Sequence, residues 1–266
     1  MGPRGGRLLQ VIEIENVSKH FVSRDRERIA ALTNVSLSIR RNEFVCLVGP
    51  SGCGKSTLLR LVGGLLPVTQ GRVIIDGQPV AEPRAETGIV FQAPTLLPWA
   101  SVLDNVLFPL KIMKRVTPAS AVQARRLLKL VGLEGFEGKY PRELSGGMQM
   151  RAGICRALVH DPDILLMDEP FGALDALTRE ELTLELMRLW REQPKTVLFV
   201  THSIPESVML ADRVVVLSPR PGRVADIVSV EVPRPRRFGM EGLDEFQRAA
   251  GRIRELIFGT GRDTIH

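Results

Sequence analysis

A glycine-rich string at residues 49–57, GPSGCGKST, constrains the fold of this chain more than any other feature. Its glycines let backbone N–H groups turn inward around a polyphosphate without a clashing side chain. Residues 43–48 read as a short buried parallel strand and residues 57–66 as a leucine-rich helix. The string predicts a strand, a phosphate-binding loop and a helix in that order. We assign to the loop Gly49, Pro50, Ser51, Gly52, Cys53, Gly54, Lys55, Ser56 and Thr57.

Within this loop, the side chains at its end carry the chemistry. Lys55 is expected to reach the β and γ phosphates of a nucleotide, and Ser56 to place its hydroxyl on Mg²⁺. The helix that begins near Lys55 directs the positive end of its dipole at the same anion. Such a loop alone does not separate kinases, GTPases and transport motors.

An apolar run at residues 164–167 leads into the acidic pair Asp168 and Glu169. Ligands bind at the carboxyl ends of strands in open α/β sheets, so both carboxylates fall where chemistry is expected. Asp168 is placed to hold Mg²⁺ through water, and Glu169 to polarise the attacking water as the catalytic base. A solvated strand end is the alternative for an acidic pair, and the phosphate loop upstream favours catalysis.

A second glycine pair lies in LSGGM, residues 144–148. Ser145 can cap a helix, and Gly146 and Gly147 leave the N-terminal amides of that helix open to an anion. One ATP does not need two such sites in the same chain. The sequence therefore predicts a second anion site in addition to the phosphate loop.

The phosphate loop, LSGG, ILLMDEP and a later VTH occur in the order found in ATP-binding-cassette (ABC) ATPases, which the chain resembles over residues 11–220. The resemblance implies an α/β fold: a P-loop NTPase core with a parallel sheet, an antiparallel β subdomain and an inserted α-helical subdomain. It also implies ATP and Mg²⁺ as ligands. In that family two cassettes pack head to tail, so each ATP lies between one phosphate loop and the other copy's LSGG.

Further site residues follow from the resemblance alone. Phe21 resembles the aromatic that stacks on adenine, with core packing as the alternative. Gln92 resembles the residue that joins Mg²⁺ and the attacking water to the helical subdomain. Asp175 resembles the loop residue that communicates across the dimer, and His202 the histidine that contacts the γ-phosphate. Met150 departs from the family pattern, which usually has Gln there.

The organisation along the chain alternates predicted strands with helical patterns, which indicates an α/β core. We predict a flexible leader at residues 1–10, the ATPase domain at 11–220 and a short C-terminal appendage at 221–266. Between about residues 92 and 161 the strand signal disappears. There Thr117 and Pro118 can begin one helix and Ser145 another, which predicts the inserted helical subdomain.

Two segments, residues 96–106 and 211–224, resemble the importers of nitrate, sulfonates, taurine and some vitamin precursors, with Pro98 and Trp99 the most suggestive pair. Trp99 is expected to meet a membrane permease, or alternatively to pack within the helical subdomain. This resemblance implies an ATPase subunit on the cytoplasmic face of the inner membrane. It would be held there by a separate permease and supplied indirectly by a periplasmic binding protein. No residue of this chain need touch the cargo.

Composition bears on the rival functions. No apolar stretch reaches the ~18 to 20 residues that span a bilayer, and three widely spaced cysteines form no CxxC pair. The net charge of +6 could favour nucleic acid, but aromatic residues make up only 5% of the chain. The arginines near residues 26 and 236 read as solvated surface, so no nucleic acid partner is expected. A soluble ABC ATPase acting on nucleic acid or ribosomes, and an exporter subunit, remain the alternatives.

Overall fold

The computed structural model describes residues 10–22 and 25–259. The predicted leader lies outside these residues except for Gln10. The strands are β1 (Gln10–Val22), β2 (Arg28–Arg40), β3 (Phe44–Val48), β4 (Gln70–Ile75), β5 (Gln78–Pro79), β6 (Thr87–Val90), β7 (Ile164–Asp168), β8 (Thr196–Val200), β9 (Arg213–Leu217) and β10 (Val224–Ser229). The helices are α1 (Lys55–Val62), α2 (Val102–Ile112), α3 (Pro118–Leu130), α4 (Gly146–Leu158), α5 (Ala176–Glu192), α6 (Ile204–Leu210) and α7 (Asp244–Phe258).

The chain divides into two compact units. The first is built from the chain through Arg84 and from Lys195 onward, and the second spans Ala85–Pro194. The first unit therefore contains the phosphate loop, Phe21 and His202. The second contains the LSGG segment, the acidic pair, Gln92 and Asp175.

Two sets of strands form the first unit. In the antiparallel set the order is β2-β1-β4-β5, with Ile14 opposite Leu37 of β2 and Val73 of β4. In the other set β3 pairs in parallel with both β8 and β9. Every residue of β3 and β8 is buried, as expected for parallel strands covered on both faces. The phosphate loop follows directly from β3.

The region after Arg220 is integrated with the first unit through β10, α7 and Arg236. Strand β10 pairs antiparallel with β9, and α7 buries Phe246, Ala249, Ala250 and Ile253. The sequence predicts solvated arginines in this region, and for Arg236 that prediction is wrong. Its side chain is 5% exposed, because the carbonyl groups at the end of α6 need donors and solvent does not reach them.

The Arg236 guanidinium donates to the carbonyls of Val208, Met209 and Ala211 at 2.9, 3.2 and 2.6 Å. It also donates to Val232 and Val230, at 3.0 and 3.4 Å. Burial lowers the pKa of Arg236 to about 10, so the side chain stays charged at neutral pH. One side chain thus closes the C-terminus of α6 and ties residues 230–236 to it.

Replacing Arg236 with Met should destabilise the protein by about 3 kcal/mol, because several buried carbonyls lose their donor. For a protein of this size, that loss lowers the thermal unfolding midpoint by about 6 to 10 °C. The neighbouring Arg237 is exposed, so Arg237→Met is the matched control and should leave the midpoint nearly unchanged. Equal midpoints for the two variants would contradict the capping role of Arg236.

The second unit combines the parallel pair β6–β7 with the helices α2 to α5. Thr117 caps α3, with Pro118 in its first turn, as predicted. Helices α2, α3 and α4 bury a common core that includes Val106, Leu128 and Ala152. Arg151 of α4 donates to the carbonyl of Val131 at 3.1 Å, just beyond the end of α3.

The structure confirms the predicted fold class, with parallel strands around the phosphate loop, an antiparallel sheet and helices within residues 92–161. Two details differ from the sequence prediction. Helix α1 ends at Val62 rather than near residue 66, since Gly63 and Gly64 follow and Gly64 has a φ of +69°. Helix α2 was not predicted. No helix in the described part of the chain has the length and apolar character to cross a membrane.

Candidate active site

The phosphate loop connects the buried strand β3 to helix α1. Helix α1 begins at Lys55 and has Gly54 as its N-cap, with a φ of 106° and no capping side chain. The first N–H groups of a helix have no partner within the helix. Because no side chain caps them, they and the helix dipole are suited to an anion.

At two positions of the loop, neighbouring atoms leave no space for a side chain. A Cβ at Gly49 would lie 2.8 Å from the carbonyl oxygen of Leu217, and a Cβ at Gly54 would lie 2.6 Å from Cδ2 of Leu32. Both residues also have positive φ, 152° and 106°. Leu32 of β2 and Leu217 at the end of β9 therefore pack so closely against the loop that only glycine fits at these two positions.

Lys55 lies inside the loop, with only 6% of its surface exposed. Its ammonium donates to the carbonyl of Gly49 at 2.9 Å and to that of Pro50 at 3.1 Å. Ser51 and Gly52 are exposed, Ser56 and Thr57 are half-buried, and Cys53 is buried. A buried ammonium beside the uncapped N-terminus of α1 is suited to bind a polyphosphate.

Phe21 and His202 come from other segments of the same unit. Phe21 lies on β1 opposite Ile29 and is 39% exposed, so it is not a core residue. The ammonium of Lys19 lies 5.3 Å from its ring centroid. His202 is exposed and lies between β8 and α6, where the N–H of Ser203 donates to the Thr201 hydroxyl at 2.9 Å.

The acidic pair lies at the end of β7 in the second unit. Asp168 is the last residue of the strand and is buried, whereas Glu169 is half-buried. Glu169 has a φ of 45°, a left-handed conformation that costs a residue with a side chain on the order of 1 kcal/mol. The turn after it is closed by the Gly172 N–H, which donates to the Glu169 carbonyl at 3.0 Å. Backbone strain of this kind is concentrated at functional sites.

The LSGG segment and the Asp175 loop meet at Thr178. Ser145 caps α4 by accepting from the Met148 N–H at 3.3 Å, and a Cβ at Gly147 would lie 2.7 Å from the Thr178 methyl group. Asp175 caps α5, accepting from the Thr178 N–H at 3.0 Å and from its hydroxyl at 2.7 Å. These hydrogen bonds lower the pKa of Asp175. Gly146 is exposed at the helix N-terminus.

Thr178 is a residue that sequence reasoning missed, although its position three residues after an Asp is typical of a helix cap. It brings two of the predicted site segments together through one side chain. Gln149, beside the unusual Met150, donates instead to the carbonyls of Pro141 and Leu144 at 3.0 and 3.3 Å. Met150 is buried in the core.

Gln92 and Trp99 lie on the segment between β6 and α2. Gln92 is exposed just after β6, and Trp99 is 75% exposed, which excludes the predicted packing alternative. Asn105 holds this segment from α2. Its buried amide donates to the carbonyls of Leu97 and Ala100 at 3.1 and 3.0 Å and accepts from the Leu97 N–H at 2.6 Å. Sequence reasoning missed Asn105, a polar residue inside an apolar helical run.

Comparison with known proteins identifies the family. A family model described as ABC transporter matches residues 32–172, just over half of the chain. The chain belongs to the ABC transporter family. The matched range contains the phosphate loop, the LSGG segment and the acidic pair, so the resemblance inferred from the motifs is confirmed.

Individual relatives support the same family assignment for this ABC transporter chain. An uncharacterized ABC transporter ATP-binding protein of Methanocaldococcus jannaschii is 50% identical over 86% of both chains. A taurine import ATP-binding protein of Rhizobium johnstonii is 46% identical over 92% of this chain and 93% of its own. The dimeric ATP-binding cassette MJ0796 bound to ADP and Pi superimposes with a TM-score of 0.73, at 35% identity over 82% of this chain and 98% of that one. The chain is therefore an ATPase subunit of a transporter.

Proposed function

We propose that this ABC ATPase drives import of a small sulfonate such as taurine through a separate permease. The observation that carries the proposal is the 46% identity, over nearly the whole chain, to a protein named for taurine import. The cargo itself need not touch this chain. A periplasmic binding protein would deliver the sulfonate, and the ATPase would sit on the cytoplasmic face of the membrane, held there by the permease.

In this proposal the residues of the phosphate loop bind ATP. The open amides at the start of α1 and the buried Lys55 ammonium surround the β and γ phosphates, and Phe21 offers an exposed ring on which adenine can stack. Glu169 at the end of β7 orients and polarises the attacking water. Gln92 and His202 contact the attacking water and the γ-phosphate, respectively. The products are ADP and phosphate.

Mg²⁺ fits the donor groups that the chain supplies for this reaction. It prefers oxygen ligands, and in nucleotide sites it is bound by one or two carboxylates with phosphates and waters. Ser56 offers a hydroxyl in the first turn of α1, Asp168 a buried carboxylate at the end of β7, and Gln92 an amide oxygen. When bound, the ion would neutralise charge that develops on the phosphates.

A head-to-tail dimer completes the proposed site. Ser145, Gly146 and Gly147 place a second helix N-terminus in the chain, capped by Ser145 and exposed at Gly146, in addition to the one at the phosphate loop. In the dimer this N-terminus would contact the γ-phosphate of the ATP held by the other copy. Asp175 would lie at the interface between the two copies. The dimeric state of the related cassette bound to ADP and Pi supports this arrangement.

The transport proposal is tested in proteoliposomes that contain this chain, its permease and the binding protein. ATP-dependent accumulation of radiolabelled taurine is the expected result, with unlabelled alkyl sulfonates as competitors and nitrate as a comparison solute. ATP hydrolysis without accumulation of any sulfonate would contradict the import proposal. ATP-dependent movement of taurine away from the side of the membrane that holds the ATPase would identify an exporter.

In the same assembly, Trp99→Ala should weaken binding of the ATPase to the permease. Trp99 is a large exposed aromatic residue on a loop that is held by hydrogen bonds to Asn105. An aromatic residue that becomes buried at the centre of an interface contributes at least about 2 kcal/mol, or roughly 30-fold in affinity. Val122→Ala is the control, since Val122 is also exposed, at 69%. Pull-down affinity and nucleotide affinity are measured together. Unchanged assembly would remove Trp99 from the permease interface.

A further inference from the structure

The segment 218–222, SPRPG, lies behind the phosphate loop, and no role in ATP binding follows from its sequence. It follows β9, whose last residue, Leu217, already approaches Gly49. The segment forms a tight turn, because the Ser218 N–H donates to the Arg223 carbonyl at 2.9 Å and the Arg223 N–H to the Ser218 hydroxyl at 3.1 Å.

Gly222 is the point where this segment meets the loop. It is buried, and a Cβ added to it would overlap the carbonyl oxygen of Cys53 and lie 3.2 Å from Cδ2 of Leu32. Its φ is not in the left-handed region, so a side chain at Gly222 is excluded by lack of space and not by its backbone conformation. The backbone of residue 222 therefore packs directly against the Cys53–Gly54 peptide.

Strand β2 holds Gly222 in that position. The Gly222 N–H donates to the carbonyl of Ala31 at 2.9 Å, and its own carbonyl accepts from the Thr33 N–H at 3.0 Å. The Arg220 guanidinium adds a bond to the carbonyl of Ala30 at 3.1 Å. Because Leu32 lies against Gly54 as well as Gly222, one short stretch of β2 contacts both the loop and the segment behind it.

We propose that Gly222 is a positioning residue for ATP binding, and that residues 218–222 form a wall that sets the orientation of the Cys53–Gly54 peptide. The next N–H groups along the chain, those of Gly54, Lys55 and Ser56, lie at the uncapped start of α1, which the proposed function assigns to the phosphates. Because Gly222 has no side chain, the Cys53 carbonyl can point toward residues 218–222. The N–H groups that follow Cys53 can then face the phosphates. This role concerns nucleotide affinity and holds whatever solute is transported.

Gly222→Ala in the full-length chain tests the wall. The added methyl group must displace either the Cys53 carbonyl or β2, and misaligned hydrogen bonds to a charged ligand weaken its binding by about 10- to 100-fold. We expect the Kd for Mg·ADP, measured by calorimetry well below the unfolding midpoint, to rise about 10- to 100-fold. We also expect KM for ATP to rise by a similar factor, while kcat at saturating ATP changes much less.

Gly242→Ala is the control, since a Cβ at Gly242 meets nothing within 4 Å. Arg220→Ala is a second test that adds no bulk, because it only removes the bond to the Ala30 carbonyl. Since Arg220 acts on the loop only through β2, it should raise the Kd for Mg·ADP by about 3-fold, less than the loss of a direct bond to the ligand would. A folded Gly222→Ala protein with the Kd of the control would overturn the proposal. If Gly222→Ala does not fold, an unchanged Kd in Arg220→Ala would overturn it.

Discussion

Glu169→Gln should retain ATP binding and lose about 10²- to 10⁴-fold in kcat, the usual contribution of a positioned general base. The amide is nearly isosteric with the carboxylate, so the backbone at Glu169, with its φ of 45°, need not change. An amide cannot accept the proton of the attacking water. Turnover should therefore stop with ATP bound, and the closed dimer should accumulate in size-exclusion chromatography with ATP and Mg²⁺.

The matched control is Glu192→Gln at the end of α5, which removes a carboxylate that pairs with Arg188 at 3.1 Å. A pair of this kind near the surface contributes little, so kcat should stay near that of the unchanged protein. An ATPase rate for Glu169→Gln within a factor of about 3 of this control would rule Glu169 out as the base.

Lys55→Ala should abolish hydrolysis by weakening ATP binding itself. The Lys55 ammonium is buried in the loop, within 3.1 Å of two loop carbonyls, so its charge lies where the phosphates bind. Loss of hydrogen bonds from a charged donor costs about 1.5 to 3 kcal/mol, or roughly 10- to 100-fold in the Kd for ATP. Loss of its charge from the γ-phosphate lowers kcat by a further ~10²-fold.

Calorimetry with ATP separates this variant from Glu169→Gln, which should bind normally. Lys114→Ala is the control, because Lys114 is an exposed lysine in the turn after α2. A Lys55→Ala protein that binds ATP as tightly as the Lys114→Ala control would show that the loop amides suffice for binding. Such a result would contradict the role assigned to the Lys55 ammonium.

Several parts of the site could be predicted because their chemistry is local. The string at residues 49–57 forces a glycine turn between a strand and a helix, and the structure has β3, the loop and α1 in that order. Ser145 and Thr117 cap helices where the sequence predicts them. Each of these features depends on residues within a few positions of one another.

Other parts depend on contacts between distant segments. The local sequence, with prolines just before Arg236, predicts a surface arginine. The side chain is buried because its partners are the carbonyls at the end of α6, some 25 residues earlier. Asn105 and Thr178 have ordinary local sequences, and their roles follow from the loop and the glycine that they contact. Such partners carry no signal at short range, so periodicity and composition could not reveal them.

The sequence by itself determined the phosphate loop, the two helix N-termini and the family, because backbone conformation and helix capping are decided within a few residues. Only the tertiary structure decided which residues pack against the loop. Gly49, Gly54 and Gly222 must be glycine because Leu217, Leu32 and Cys53 leave no space for a side chain. That space is set by strands and turns that are far apart in the chain and meet only after folding.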